Sequence, residues 1–146
     1  MNLERLKSFF NVSPSAKLLR SPHAPYILDF LNRQFKSATS LPVPHSRLLP
    51  ALADYLDQIH EIDPDALRDR AEIYLTSWST GETRWLRRFF DTDHSEPVYQ
   101  LTPATEDVLT FLTEVLDRNL GFVGTESRLS RIIATLADIT FRGSDD

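Results

Sequence analysis

Asp57 and His60 stand three residues apart in a helical stretch, with Asp54 and Glu61 beside them. That spacing turns potential metal ligands to one helix face, and the chemistry would be metal binding. No second ligand pair occurs elsewhere, and His23, His45 and His94 fall in unrelated loops. The residues therefore read better as a solvated acidic face opposite Leu52, Leu56 and Ile59. Gly121-Phe122-Val123-Gly124-Thr125 before a helix suggests anion binding at a helix N-terminus. The Gly-Lys-Ser/Thr ending of a nucleotide loop is missing, however, and no lysine lies near. Gly121 as a helix C-cap and Thr125 as an N-cap account for the same residues. Nucleophilic chemistry finds neither a Gly-x-Ser-x-Gly elbow nor a His-Glu-x-x-His helix, and the chain contains no cysteine. The expectation is a protein that is not an enzyme, with no catalytic residue, no metal and no cofactor.

The remaining chemistry-bearing cluster is Arg84-Trp85-Leu86-Arg87-Arg88-Phe89-Phe90. Arginines interleaved with aromatics on a strand suit a DNA backbone, so Arg84, Arg87 and Arg88 are the candidate DNA contacts. The competing reading, which the composition favours, is a core strand with Trp85 and Phe89 buried and the arginines paired with carboxylates. Twenty-one acidic residues face sixteen basic ones, for a net charge of −5. Domains that grip phosphates usually carry a basic surplus. The second helix, the one that would enter a DNA groove, is expected to expose Arg68, Asp69, Arg70 and Glu72, a mixed set that attracts and repels phosphate together.

The elements that must position these residues follow from composition and periodicity. With 41% hydrophobic and 25% charged residues, the 146-residue chain has the make-up of one globular domain, or one domain with a helical extension. The absence of cysteine fits a reducing cytoplasm. No apolar run approaches the roughly 20 residues needed to span a bilayer, and the start Met1-Asn2-Leu3-Glu4 lacks a signal peptide's pattern. A soluble, cytoplasmic protein is expected.

Leu3, Leu6, Phe9 and Phe10 fall on one side of a first helix. Ser13-Pro14 breaks it and restarts a short turn through Leu18 and Leu19. After the Ser21–Pro25 loop, Tyr26, Ile27, Phe30, Leu31 and Phe35 mark a second apolar stripe. Leu41-Pro42-Val43 suits a short edge strand. Leu48, Leu49, Leu52, Tyr55, Leu56, Ile59 and Ile62 define a long helix; with Ser46 as N-cap, Pro50 falls in its first turn. Asp63-Pro64-Asp65 leads to a helix with Leu67, Ala71, Tyr74, Leu75 and Trp78, ended by Thr80-Gly81.

From Arg84 to Leu101 the pattern predicts a hairpin with its tip at Asp91 to Pro97, although Glu82 to Phe90 also fits a helical period. Thr102 and Pro103 start a helix whose stripe is Val108, Leu109, Leu112, Val115 and Leu116. Thr125 would cap a last helix with Leu129, Ile132, Ile133, Leu136 and Ile139. Trp78 and Leu112 are expected in the core. The fold class is mainly α: a winged-helix core, a helix-turn-helix with a β-hairpin wing, from about Ala24 to Leu116, with flanking helices. The first helix should pack on it through Leu3, Leu6, Phe9 and Phe10. An all-α bundle is the competing architecture.

Four strings together carry a family resemblance. Ala24-Pro25 before an apolar helix, Trp85-Leu86-Arg87-Arg88-Phe89, Tyr99-Gln100-Leu101-Thr102-Pro103-Ala104-Thr105-Glu106 and Phe122-Val123-Gly124-Thr125-Glu126-Ser127-Arg128-Leu129 resemble, in order, the N-terminal region of the JetA family. That family is the kleisin subunit of the Wadjet system, similar to MukF and MksF. The resemblance implies a non-catalytic scaffold in an SMC-like, condensin-like complex that defends bacteria against plasmid DNA. Its implied partners are an SMC-type ATPase subunit, a small winged-helix accessory subunit and a nuclease subunit. Plasmid DNA is met through the assembled complex, and no membrane is involved. The elements divide the chain into an N-terminal helical arm over 1–23, a winged-helix domain over 24–120 and a C-terminal helix over 121–146. Family kleisins are much longer, which implies that this last helix leads into the rest of the kleisin.

MukF-like relatives dimerise through this region, so a homodimer is implied. Leu3, Leu6, Phe9 and Phe10 are the candidate interface, since an apolar helix at a chain end needs a cover. The competing arrangement folds that helix back onto its own domain. The alternative function is a stand-alone winged-helix DNA-binding transcriptional regulator, which the acidic balance disfavours.

Overall fold

A computed structural model describes residues 1–35, 41–81 and 84–121. The expectations placed on 122–146, namely the Thr125 cap, the stripe from Leu129 to Ile139 and the string beginning at Phe122, lie outside these residues. So do Ser37 to Ser40 and Glu82. Within them the chain is mainly helical, with one small antiparallel sheet.

Asn2 opens α1 (Leu3–Val12), its side chain accepting the Arg5 N–H at 2.9 Å, as N-cap chemistry requires. The break at Ser13 is a single extended residue, and α2 (Pro14–Arg20) restarts with Pro14 in its first turn. Ala16 and Leu18 of α2 are buried, whereas α1 has no buried residue. The expected packing of α1 on the core is therefore corrected: Leu3 is 66% exposed, Leu6 38%, Phe9 43% and Phe10 53%. The reason is the Ser13-Pro14 break. It lets α2 take the docking position against α6, with the Ser15 hydroxyl donating to the Ala104 carbonyl at 3.2 Å, and directs α1 off that contact.

The core lies between α3 (Ala24–Gln34), α4 (His45–Ile62) and α5 (Ala71–Ser79). Phe30 of α3 sits at its centre, its ring 5.3 Å from that of Tyr55 on α4 and 6.3 Å from that of Trp78 on α5. The Tyr55 hydroxyl is satisfied by the Tyr26 carbonyl at 3.0 Å and the Asp29 carboxylate at 2.9 Å. Burial and the neighbouring carboxylate push that phenol well above its ordinary pKa.

Three local expectations are corrected. The helix α4 starts one residue before Ser46, with Pro44 as its flanking residue, so Ser46 is not the N-cap. Pro50 is thus the sixth helical residue. It removes one amide donor near the helix start without breaking the helix, which runs to Ile62. Leu67 belongs to the turn before α5; it is buried with φ at +48°, the left-handed region that costs a side-chain-bearing residue about 1 kcal/mol or more. Its side chain is the core contact that the apolar pattern picked out, but reached from a turn.

The sheet has the order β1-β3-β2, all antiparallel. β1 (Val43–Pro44) lies at one edge, and β2 (Leu86–Phe89) and β3 (Val98–Leu101) form the hairpin, pairing Leu86 with Leu101 and Phe89 with Val98. Strand, not helix, is therefore the outcome between Leu86 and Phe89. α6 (Pro103–Gly121) follows. Its stripe is shallower than expected among the described residues. Val108 is buried and Leu109, Leu112 and Val115 are half-buried, while Leu116 is 47% exposed. Trp78 is a core residue; Leu112 lies at the core's margin.

Candidate functional site

Trp85 ties the hairpin to the helices. Its backbone N–H donates to the Trp78 carbonyl at 2.8 Å, and its indole N–H to the Pro14 carbonyl at 3.2 Å. Its own carbonyl accepts the Thr102 N–H at 3.2 Å and the buried Thr105 hydroxyl at 2.9 Å. One residue thus joins the end of α5, the start of α2 and the start of α6. The strand that leaves it, β2, is held in a fixed place and carries the arginines.

Arg84, Arg87 and Arg88 are all exposed. Arg84 has φ at +30° and its Nε donates to the Gly81 carbonyl at 3.1 Å. Arg87 and Phe89 are two apart on the strand and so share a face; the guanidinium lies 4.3 Å from the ring centroid. Arg88 and Phe90 repeat the arrangement on the opposite face at 5.7 Å. Such cation–π contacts hold a guanidinium without neutralising it. The reading with carboxylate partners is corrected: among the described residues none of the three forms an ion pair with an acid, Phe89 is only half-buried, and Phe90 is 65% exposed. Trp85 is buried, as that reading required. The arrangement presents three charged guanidinium groups to solvent, the chemistry that meets a phosphate oxygen or a carboxylate.

The hairpin tip is built from groups that spacing alone did not single out. The Glu96 carboxylate accepts the Ser46 N–H at the start of α4 and the Ser46 hydroxyl at 2.9 Å. These two bonds hold the Glu96 carboxyl below its ordinary pKa. The adjacent Pro97 carbonyl accepts the His45 N–H, and the His45 ring shares a 2.9 Å hydrogen bond with the Tyr99 hydroxyl. Asp91 closes the other side of the tip, accepting from the His94 ring and from the His94 and Asp93 amides. The His94 contact leads in lowering the Asp91 carboxyl. Ser46 and Glu96 are 50 residues apart, so no local pattern announces the pair.

The Asp57 and His60 pair is not brought to a metal site. His60 Nε2 donates to the carbonyls of Ala66 at 2.9 Å and Leu67 at 3.0 Å, which fixes the turn containing the left-handed Leu67. Among the described residues no group of three or more potential ligands converges.

Two exposed helix faces complete the surface. α1 presents Leu3, Leu6, Phe9 and Phe10 outward, with the Phe9 and Phe10 rings edge to face at 5.5 Å. α5 exposes Glu72, Ile73, Thr76 and Ser77, and no lysine or arginine occurs from Ala71 to Ser79. No described helix is long and apolar enough to cross a membrane.

Residues 8–146 match a family described as a protein of unknown function, DUF3375. A protein of Mycolicibacterium smegmatis, named as uncharacterized, is 29% identical over 140 residues, which cover 95% of this chain. The chain spans 29% of that relative's length. No solved structure matches.

Proposed function

Because the chain belongs to the DUF3375 family, which matches it over residues 8–146, we propose that this family region is a non-catalytic assembly domain: the winged-helix N-terminal domain of a MukF-like kleisin. It would dimerise and scaffold an SMC-like, Wadjet-type complex acting on plasmid DNA. The order α3, β1, α4, α5, β2, β3 and the sheet order β1-β3-β2 support the winged-helix assignment, with α4 and α5 as the helix pair and β2–β3 as the wing. The four strings that resemble the JetA family support the kleisin assignment, and three of them fall at structural junctions: the start of α3, the Trp85 knot, and the β3–α6 joint.

The observation that carries the choice of scaffold over regulator is the outer face of α5. In a DNA-reading winged helix, this helix supplies base and phosphate contacts from Arg, Lys, Asn or Gln. Here it offers Glu72, Ile73, Thr76 and Ser77. The exposed Arg68, Asp69 and Arg70, expected on this helix, lie just before its first residue as a mixed set that attracts and repels phosphate together. DNA contact, where it occurs, falls to the wing arginines Arg84, Arg87 and Arg88 within the assembled complex. The ATPase, the accessory subunit and the nuclease are the proposed partners, and the exposed α1 face is the proposed dimer contact.

A DNA mobility-shift assay at about 150 mM salt tests the choice. Weak, sequence-independent binding or none is expected of the isolated chain; a tight, sequence-specific shift would establish the regulator instead.

A further inference from the structure

We propose that in the homodimer the α1 helix of each copy seats in a groove of the other copy, formed by the end of α3, the approach to β1, strand β3 and the outer side of α6. This rests on the dimer reading above and names the surface that receives the helix. Among the described residues the groove holds about 390 Å³, with Phe35, Leu41, Leu101 and Leu109 as apolar lining and Glu106 and Glu114 on its α6 rim.

Three properties of α1 fit this groove. The first is apolarity. Leu3, Leu6, Phe9 and Phe10 form an outward stripe with no cover among the described residues, and Leu41 in the groove is itself 68% exposed. Joining the two surfaces removes apolar area from water on both sides.

The second is charge. At about 100° per residue, Arg5 and Lys7 lie on the two flanks of the stripe centred on Leu6, while Glu4 lies on the back. A helix laid stripe-down therefore brings one cation to the rim carrying Glu106 and Glu114, whichever way it runs. The third is length. Leu3 to Phe10 spans roughly 11 Å of helix, and Glu106 to Glu114 roughly 12 Å at 1.5 Å per residue. Exchange of the same helix into the same groove by both copies is self-complementary, as two-fold symmetry demands.

The chain has no cysteine, so engineered thiols report directly. Phe9→Cys and Thr113→Cys proteins, distinguished by mass tags and mixed, are expected to form a disulfide between chains. Phe9→Cys paired with a distant Asp57→Cys is expected to form little. Glu106→Lys with Glu114→Lys should weaken dimerisation at least tenfold by sedimentation. Adding Arg5→Glu and Lys7→Glu should recover most of that loss, a rescue that misfolding cannot mimic. A dimer that persists with neither cross-link nor charge effect would overturn the groove assignment and leave the dimer standing. A monomer of 16.8 kDa at tens of micromolar would end the dimer reading, and this one with it. A cross-link formed only within a single doubly substituted chain would show α1 in its own groove and overturn the exchange.

Discussion

The Glu96 carboxylate accepts both the backbone N–H and the hydroxyl of Ser46, so that the tip of the β2–β3 hairpin is fastened to the first turn of α4. Fifty residues of chain are closed by this contact, and the neighbouring bond from the His45 N–H to the Pro97 carbonyl closes it again. The hairpin is thus fixed at both ends: at its base by Trp85 and at its tip by Glu96.

This fastening should be acid-labile. Glu96 and Asp91 both have carboxyls held below their ordinary values. Their contribution is complete above the usual carboxylate range and is lost as pH falls through the lower folded values. The Ser46 amide resonance should therefore titrate with a midpoint below the ordinary glutamate value of 4.5, and in Glu96→Gln the titration should vanish. A Ser46 amide shift that ignores pH between about 2 and 6, a window bracketing free carboxylates, would sever the link.

Trp78 and Leu112 should differ in weight. Trp78 is 3% exposed and packs on Phe30 and Tyr74, so Trp78→Ala should cost about 3–5 kcal/mol in urea unfolding. Leu112 is half-buried at the core margin, and Leu112→Ala should cost about 1–2 kcal/mol. Equal losses would mean that α6 is as deeply packed as α5.

His60 should behave as a structural donor and not as a metal ligand. His60→Ala leaves the Ala66 and Leu67 carbonyls without that donor beside a left-handed residue, and should cost roughly 1 kcal/mol, the low end for a half-exposed site. Zinc should leave the melting temperature of the unsubstituted protein unchanged. A rise in melting temperature that depends on His60 would restore the metal reading.

The arginines of β2 should matter only in the assembly. Reversing Arg84, Arg87 and Arg88 to glutamate should lower plasmid affinity of the whole complex and shrink its salt dependence by about 0.9 for each phosphate no longer neutralised. An unchanged salt slope would remove these residues from the DNA path.

Much of the fold was legible because its elements are amphipathic over several turns. α3, α4 and the hairpin strands follow from periodicity, and proline and glycine mark their ends. The errors have physical causes. The stripe of α1 predicts a helix but says nothing about what covers it, and α2 already holds the docking position. Leu67 fits a helical stripe by its spacing, yet reaches the core from a left-handed turn stabilised by His60. Ser46 looks like a cap because its hydroxyl suits one, while in fact it serves Glu96, a partner that only the folded chain brings near. At the candidate site, the arginines and aromatics were readable as a cluster; their mutual stacking on opposite strand faces required the strand assignment first.

The outer position of β2 in the three-stranded sheet has a further result. Among the described residues only β3 pairs with it, so its other side resembles the open strands on which chains recruit one another into ribbons. Phe89 and Phe90 would make that recruitment favourable. Arg87 and Arg88 oppose it, because two such strands laid side by side would bring like charges together across the join. The same guanidinium groups thereby act as gatekeepers against unwanted polymerisation, a duty that would keep them in place even where no nucleic acid is met.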